Sequence, residues 1–181
     1  MSENKDEKRL CVIACGAGPA PEVGKLVALA QQRGWDVRIV ATPSALGFLD
    51  LKALERLTGT PVRHDYGQRT KGPRSSESHA LIIAPATYNS INKLAAGIND
   101  TYALNVAAEA VGRGARSAVL PFVNSALAGR LPFRKSVESL RAEGVNILLG
   151  EGIWEPHPPE TGGEMIPAFP WEKALKAVAE I

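Results

Sequence analysis

The chain has 181 residues, enough for one well-buried core and too few for two domains of ordinary size. Lys and Arg number 21 against 19 Asp and Glu, and this mild basicity does not suggest nucleic-acid binding, which would need a clustered positive face. The opening MSENKDEKR is polar, and no run approaches the roughly 20 apolar residues of a membrane span. These features predict one cytoplasmic domain over residues 9–181, after a disordered tail of residues 1–8, with neither nucleic acid nor a membrane as a partner.

Strand and helix patterns alternate along the chain. Strands are predicted for the apolar or β-branched runs at residues 9–15, 37–42, 80–86, 117–123 and 145–150. Helices are predicted where apolar residues recur at helical spacing: over 22–34 and 44–58, around Lys93 and Ala107, over 137–141, and from Trp171. This alternation is typical of a doubly wound, Rossmann-like three-layer α/β/α fold around a parallel sheet with right-handed crossovers.

Two long segments lack periodicity. Residues 61–74 are polar and rich in Gly, Pro and basic residues, which predicts a mobile loop. Its basic side chains either stay solvated or close over an anionic ligand: they are Arg63, Arg69, Lys71 and Arg74. Residues 151–170, rich in Pro and Gly, predict a surface arm. The aromatic residues of this arm either pack on the chain's own sheet or reach a neighbouring protomer.

The two cysteines stand four residues apart in the first predicted strand. Cys11 and Cys15 therefore point to one face at a separation that no disulfide spans. A redox or metal-binding pair is one interpretation, but His64, His79 and His157 are scattered without ligand spacing. Reduced, small core residues are the other interpretation, and the sequence favours it, so no metal site is predicted.

Small and polar residues stand at the carboxyl ends of four of the predicted strands. In chain order they are Gly16, Ala17 and Gly18, then Thr42 and Ser44, then Pro85, Ala86 and Thr87, and finally Asn124. Ligands of parallel α/β sheets bind outside the carboxyl ends of the strands, so these residues outline a candidate site. Ordinary turn and helix-capping roles explain any one group alone, whereas four groups in register favour a ligand.

The segment after the third strand carries the strongest chemical signal. Thr87, Asn89 and Ser90 follow a buried strand and open a helix, so their side chains converge with free backbone N–H groups on a position suited to a phosphate. Thr42 and Ser44 could add hydroxyl groups to the same anion. The segment contains neither GxGxxG nor GxxxxGK[ST], which disfavours NAD and ATP as ligands.

The stretch IIAPATYNSINKLAAGINDTYAL resembles the FMN-binding motif of the homo-oligomeric flavin-containing cysteine decarboxylases. That motif is written around Pro-Ala-Ser-Ala-Asn-Thr, followed by Lys-Leu-Ala-x-Gly-x-x-Asp. The residues that fit it are Pro85, Ala86, Thr87, Asn89, Ser90, Lys93, Leu94, Ala95, Gly97 and Asp100. ATPSALGFLD is similar to the family's second FMN segment and places Phe48 near the flavin, while Gly16, Ala17 and Gly18 would let the backbone approach the ring.

This resemblance covers most of residues 9–150 and implies bound FMN, a small-molecule or peptide thiol as substrate, and a homo-oligomer. A trimer, or a multiple of trimers, is the form that the family implies. The family includes phosphopantothenoylcysteine decarboxylases, peptidyl-cysteine decarboxylases and, more distantly, flavin prenyltransferases.

Two features depart from the family pattern. The decarboxylases use a histidine in a His-Ile-x-Leu pattern, and ungapped counting back from Pro85 places Lys71 there. His79 stands where the family has an Asp before the strand, and a packing role at the start of the strand is favoured over a relocated base. The substrate clamp, Pro-x-Met-Asn-x-x-Met-Trp, keeps Pro121 and Asn124 but loses both Met and the Trp. Asn124 is the candidate catalytic residue, as a hydrogen-bond partner of a carboxylate or the flavin; a helix N-cap is the alternative.

Three functional hypotheses follow. The first is an FMN-dependent, decarboxylase-like oxidoreductase or lyase with rearranged catalytic groups, in which the cofactor supplies the redox chemistry. The second, which the missing histidine favours, is a non-catalytic flavin-binding or regulatory subunit. The third, a flavin prenyltransferase, ranks behind both, with Arg130 and Arg134 as its support.

Overall fold

The computed structural model describes residues 8–68 and 74–179. Its centre is a five-stranded parallel sheet in the order β2-β1-β3-β4-β5. The strands are β1 (Lys8–Ala14), β2 (Trp35–Ala41), β3 (Ala80–Ala86), β4 (Arg116–Pro121) and β5 (Asn146–Ile147). β1 includes Lys8, which the sequence analysis assigned to the tail; residues 1–7 lie outside the described residues. The predicted doubly wound α/β/α fold is confirmed.

Helices cover both faces of the sheet. They are α1 (Gly24–Gln32), α2 (Leu51–Thr58), α3 (Tyr88–Ala95), α4 (Tyr102–Gly112), α5 (Ser125–Ala128), α6 (Leu131–Ala142), α7 (Gly162–Met165) and α8 (Trp171–Ala179). Leu10 and Val12 of β1 point to one face, where residues of α1 and α8 pack. Cys11 and Ile13 point to the other, where residues of α3, α4 and α6 pack. Burial on both sides explains the continuous apolar runs of the central strands.

Polar side chains fix where several helices begin. Asp50, Thr87, Thr101 and Asn124 each accept a hydrogen bond from the backbone N–H three residues further along, at the starts of α2, α3, α4 and α5. Such a bond satisfies one of the donors that a helix leaves free at its first turn. Three of these capped helices, α3, α4 and α5, follow β3 or β4 in the chain.

The predicted helix over residues 44–58 is wrong in its first half. A short 3₁₀ turn occupies Pro43–Ala45, and α2 begins only at Leu51. Asp50 has a non-helical backbone, and its carboxylate accepts the Ala53 N–H at 2.9 Å. Apolar spacing ran on through this segment, whereas the Asp50 cap sets the true start of the helix.

The predicted mobile loop over residues 61–74 is partly an extension of the sheet. Arg63 donates its N–H to the Ile39 carbonyl at 3.0 Å and accepts the Ala41 N–H at 2.8 Å. Val62 beside it is buried. β2 is an edge strand, so this pairing covers backbone groups that would otherwise face solvent. Residues 69–73, which include Arg69 and Lys71, lie outside the described residues.

The predicted surface arm over residues 151–170 packs against the body of the chain. Trp154, His157 and Phe169 are all buried, and Trp154 Nε1 donates to the Pro121 carbonyl at 3.0 Å. Many of the other residues of the arm are exposed, so the arm lies on the surface while its aromatic side chains pack inward. Within the described residues the aromatic groups of the arm pack on their own chain. None of the helices in residues 8–68 and 74–179 has the length and apolarity needed to cross a membrane.

Candidate functional site

The loops after β1 and β3 border a crevice at the carboxyl edge of the sheet. The chain crosses from β1 to β2 on one side and then returns to β3 on the other side of β1. The loops after β1 and β3 therefore run in opposite directions at this switch point. Ligands of such sheets bind in the crevice between these loops. Two backbone hydrogen bonds tie the strand ends together: Cys15 N–H donates to the Pro85 carbonyl at 3.0 Å, and Thr42 N–H to the Ala14 carbonyl at 3.0 Å.

One wall of the crevice depends on the contact between Gly16 and Ser44. A Cβ atom added at Gly16 would lie 2.7 Å from the Ser44 carbonyl oxygen and 2.9 Å from its Oγ. Only glycine allows the two backbones to approach so closely. The Thr42 and Ser44 hydroxyl oxygens lie 3.2 Å apart and share a hydrogen bond, so this wall presents a pair of hydroxyl groups.

The opposite wall is the first turn of α3. Thr87 Oγ1 accepts the Ser90 N–H at 3.2 Å and donates to Ser90 Oγ at 3.0 Å. The Tyr88 and Asn89 N–H groups belong to the first helical turn, where no intrahelical acceptor exists. Hydroxyl groups, free N–H groups and the positive end of the helix dipole together suit an anion such as a phosphate.

Cys15 links the two walls from below. Its side chain is fully buried, and burial raises the pKa of the Cys15 thiol, while the Ser90 hydroxyl and the Thr87 N–H oppose that shift. Burial also raises the pKa of Cys11 to about 12. Both thiols are therefore protonated and unpaired, as expected of core residues. Among the described residues, no three His, Cys, Asp or Glu side chains are grouped for a metal.

The other predicted cofactor contacts divide between the rim and the core. Phe48 is 43% exposed on the loop after the 3₁₀ turn, and Asn89 is exposed in the first turn of α3. Pro85 and Ala86 are buried inside β3, and Ala17 is half-buried beside Gly16. A Cβ atom at Gly18 would lie 3.0 Å from Ile166 and 3.3 Å from Phe122, so the chain's own side chains fill the space next to Gly18.

Asn124 is the N-cap of α5. Its Oδ1 accepts the Leu127 N–H at 2.9 Å, which realises the alternative role considered for this residue. The arm of residues 151–170 is hydrogen-bonded to the backbone next to Asn124, since the Ser125 N–H donates to the His157 carbonyl at 2.7 Å. Capping uses only the oxygen of the Asn124 amide, so the N–H groups of the amide can still donate to a ligand. A catalytic role for Asn124 stays a prediction.

His79 has a structural role at the start of β3. Its Nδ1 accepts the Arg9 N–H at 3.1 Å, and its own N–H donates to the Arg9 carbonyl at 2.9 Å. This geometry agrees with the packing role favoured from the sequence. Lys71, the position at which the family has its histidine, lies outside the described residues.

A second cavity, of about 330 Å³, was missed by the sequence analysis. Its walls come from three segments: residues 43–46 after β2, residues 64–66, and residues 100–102 at the start of α4. Tyr66 and Tyr102 meet edge to face in its wall, with ring centroids 5.2 Å apart. Because the three segments are distant in the chain, only the folded structure brings them together. Burial raises the pKa of Tyr102, and nearby Arg63 opposes that shift.

Comparisons with known proteins agree with the resemblance seen in the sequence. The family described as Flavoprotein matches residues 1–168. The coenzyme A biosynthesis bifunctional protein CoaBC of Thermococcus kodakarensis is 25% identical over 146 residues, which are 78% of this chain and 36% of that protein. The chain therefore spans about a third of the length of this curated relative.

Solved structures similar to the chain include two described as FMN-dependent cysteine decarboxylases. SpaF is 25% identical with a TM-score of 0.71, and the match covers 94% of this chain and 97% of SpaF. TvaF, from thioviridamide biosynthesis, is 24% identical with a TM-score of 0.73 over 95% of this chain and 98% of TvaF. The likeness to TvaF supports the fold alone.

Proposed function

The chain belongs to the flavoprotein family, and we propose that it binds FMN in the crevice between β1 and β3 and uses it on a thiol substrate, as a divergent decarboxylase-like oxidoreductase or lyase. The observation that carries the proposal is the gathering of hydroxyl groups and free helix N–H groups, from the loops after β2 and β3, at the switch point of the sheet. Gly16 lets Ser44 close one wall, and Thr87 with Ser90 forms the other. These residues fit a phosphate-bearing cofactor.

Each group has a defined part in holding FMN. The phosphate would bind to the first turn of α3, where the Ser90 hydroxyl and the free N–H groups can donate, while the Thr87 hydroxyl, which donates to Ser90 Oγ, orients Ser90. Thr42 and Ser44 would donate from the other wall. Phe48 lies exposed at the rim, where its ring is available to cover the flavin. FMN, when bound, supplies a two-electron acceptor; the protein supplies binding, orientation and exclusion of water.

Asn124 is the residue we assign to the substrate. Its side-chain oxygen is committed to capping α5, which fixes the orientation of the amide. The nitrogen can then donate to a carboxylate of the substrate without rearrangement. The SpaF structure is described as a cysteine decarboxylase, and its substrate class motivates the thiol carboxylate proposed here.

A turnover experiment tests the enzymatic part of the proposal. The FMN-loaded protein is incubated without oxygen with a peptide ending in cysteine, and flavin absorbance and peptide mass are followed. If the protein is active, the peptide should lose carbon dioxide and two hydrogens. The two electrons released in this oxidation should reduce the flavin. The same peptide ending in serine is the matched control and should leave the flavin oxidised.

A non-catalytic flavin-binding subunit is the second candidate. The altered clamp favours it: Leu127 and Ala128 stand where the family has Met and Trp. This candidate predicts bound FMN that no thiol carboxylate reduces. The turnover experiment therefore separates the two candidates, provided several cysteine-ended peptides and phosphopantothenoylcysteine are tried.

A homo-oligomer, and specifically a trimer, belongs to the same proposal. The resemblance of the chain to a homo-oligomeric family supports it, as does the exposure of apolar side chains such as Leu131 and Phe48. Light scattering coupled to size exclusion would give three times the 19.2 kDa chain mass for a trimer, or a whole multiple of that mass for an assembly of trimers. A cytoplasmic location likewise stays a prediction from the sequence.

A further inference from the structure

The cavity beside β2 has the composition of a site for a positively charged organic group. Its volume of about 330 Å³ lies in the range of small-ligand pockets. Its lining includes Tyr66 and Tyr102, the carboxylates of Asp65 and Asp100, and His64; among the residues that the structure describes, no Lys or Arg lines it. An ammonium group is attracted both by the electron-rich faces of tyrosine rings and by carboxylates.

The two aromatic walls stand at an angle that suits a compact cation. The planes of Tyr66 and Tyr102 are inclined at 86°, so the rings form a corner and not a flat stack. The Arg63 guanidinium already lies 4.5 Å from the Tyr102 ring centroid, outside the cavity lining. Arg63 therefore already makes the cation–π contact with Tyr102, and the exposed ring of Tyr66 is the one left for a ligand.

The carboxylates of the cavity differ in their partners. Asp100 forms an ion pair with Lys93, which offsets its charge. Asp65 has no ion-pair partner in residues 8–68 and 74–179, and its side chain instead accepts the Gly67 N–H at 3.5 Å. Asp65 is thus the carboxylate that a cationic ligand would meet.

The cavity adjoins the proposed cofactor site. Pro43, which lines it, stands between Thr42 and Ser44 of the crevice wall. Thr101 and Tyr102, at the start of α4, form the other side. A molecule long enough to reach both sites would place one end in the cavity and the other at the flavin.

We propose that this cavity binds an ammonium group of the substrate, so that the substrate class is a thiol carrying a positively charged amine. This inference rests on the proposed flavin function, because it names the substrate of the same site. The amine could belong to a small molecule or to a peptide, and both present the same chemistry to Tyr66 and Asp65.

The test is a calorimetric titration of the FMN-loaded protein with choline and with its neutral isostere 3,3-dimethylbutan-1-ol. The expected result is that choline binds and the isostere binds at least about fivefold more weakly. Asp65→Asn and Tyr66→Ala should each weaken choline binding about fivefold, and both side chains are exposed enough for the fold to tolerate the changes. Glu151→Gln, an exposed acid away from the cavity, is the control variant and should bind choline as the wild type does.

Equal binding of choline and its isostere, or no binding of either, would overturn the inference. Unchanged choline binding in both Asp65→Asn and Tyr66→Ala would do the same. The flavin absorbance of each sample is recorded separately, so loss of FMN is distinguished from loss of the cation site. A cysteine-ended peptide with a free amino terminus, compared with its acetylated form, tells a peptide amine from a small-molecule one.

Discussion

The Ser44 carbonyl oxygen lies so close to Gly16 that a Cβ atom at Gly16 would stand 2.7 Å from it. This contact joins the loops after β1 and β2 and fixes one wall of the proposed cofactor site. The Ser44 backbone belongs to the 3₁₀ turn opened by Pro43, so it cannot withdraw without disrupting that turn.

Gly16→Ala should therefore damage both the fold and the cofactor site. We expect a loss of about 1–3 kcal/mol in the free energy of unfolding, as for other overpacked positions, and a marked loss of FMN affinity. Urea unfolding and flavin titration measure the two effects. Gly47→Ala is the matched control, since an added Cβ there meets nothing within 4 Å and both properties should stay unchanged.

Thr87→Ala should reduce stability modestly and FMN affinity strongly. Loss of the cap on α3 costs about 1 kcal/mol, and loss of the Thr87 hydroxyl also frees Ser90 from its hydrogen bond. Asp50→Ala removes the comparable cap of α2 and should cost similar stability while leaving FMN affinity intact. If both variants bound FMN equally well, the phosphate would not bind at the start of α3.

Asn124→Asp separates capping from substrate binding. The aspartate keeps an oxygen that accepts the Leu127 N–H, so the free energy of unfolding should change little. The variant loses the amide donor and places a negative charge where a substrate carboxylate would bind. We expect the KM for a cysteine-ended peptide to rise at least about tenfold with FMN binding retained. Unchanged kinetics would remove Asn124 from the site.

His157 should make stability depend on pH. Burial lowers its pKa, so the unfolded chain, with an imidazole pKa near ~6.5, binds the proton more tightly than the folded chain does. The contribution of His157 to the free energy of unfolding is complete above the pKa of the unfolded state. It is lost as the pH falls from that pKa towards the lower pKa of the folded state. Urea unfolding from about pH 8 to about pH 5 should show a smaller decline for His157→Gln than for the wild type. Parallel declines in the two proteins would contradict this account.

The buried thiols should resist chemical modification. Burial raises the pKa values of Cys11 and Cys15, so little thiolate forms and reagents cannot reach it. A disulfide reagent at about pH 8 should label neither cysteine in the folded protein and both in denaturant. Rapid labelling of Cys15 in the native state would mean that the crevice opens to its base.

The sequence predicted the parts of the fold that depend on continuous apolar runs. The β3 prediction matches the observed bounds, because a strand buried on both faces leaves a clear signal. The start of α2 was misplaced because apolar spacing continued through the 3₁₀ turn ahead of Asp50. Whether Trp154 packs on its own chain or on a neighbouring protomer stayed open, because Pro and Gly content carries no information on tertiary packing.

The site was predictable where its residues lie next to one another in the chain. Thr87 and Ser90 were found because they stand three positions apart at a helix start. The contact of Gly16 with Ser44 and the meeting of Tyr66 with Tyr102 join separate segments, and a single sequence does not encode their distances. A family resemblance identified the residues of the first pair but gave no sign of the second.

The visible absorption spectrum of the purified protein, with the mass of any chromophore released on denaturation, tests the central claim most directly. The account predicts one FMN per chain, or its uptake when FMN is added, and weakened uptake by Thr87→Ala. A colourless wild-type protein that takes up no added FMN would contradict the account and leave the Gly16–Ser44 and Thr87–Ser90 walls to some other anion.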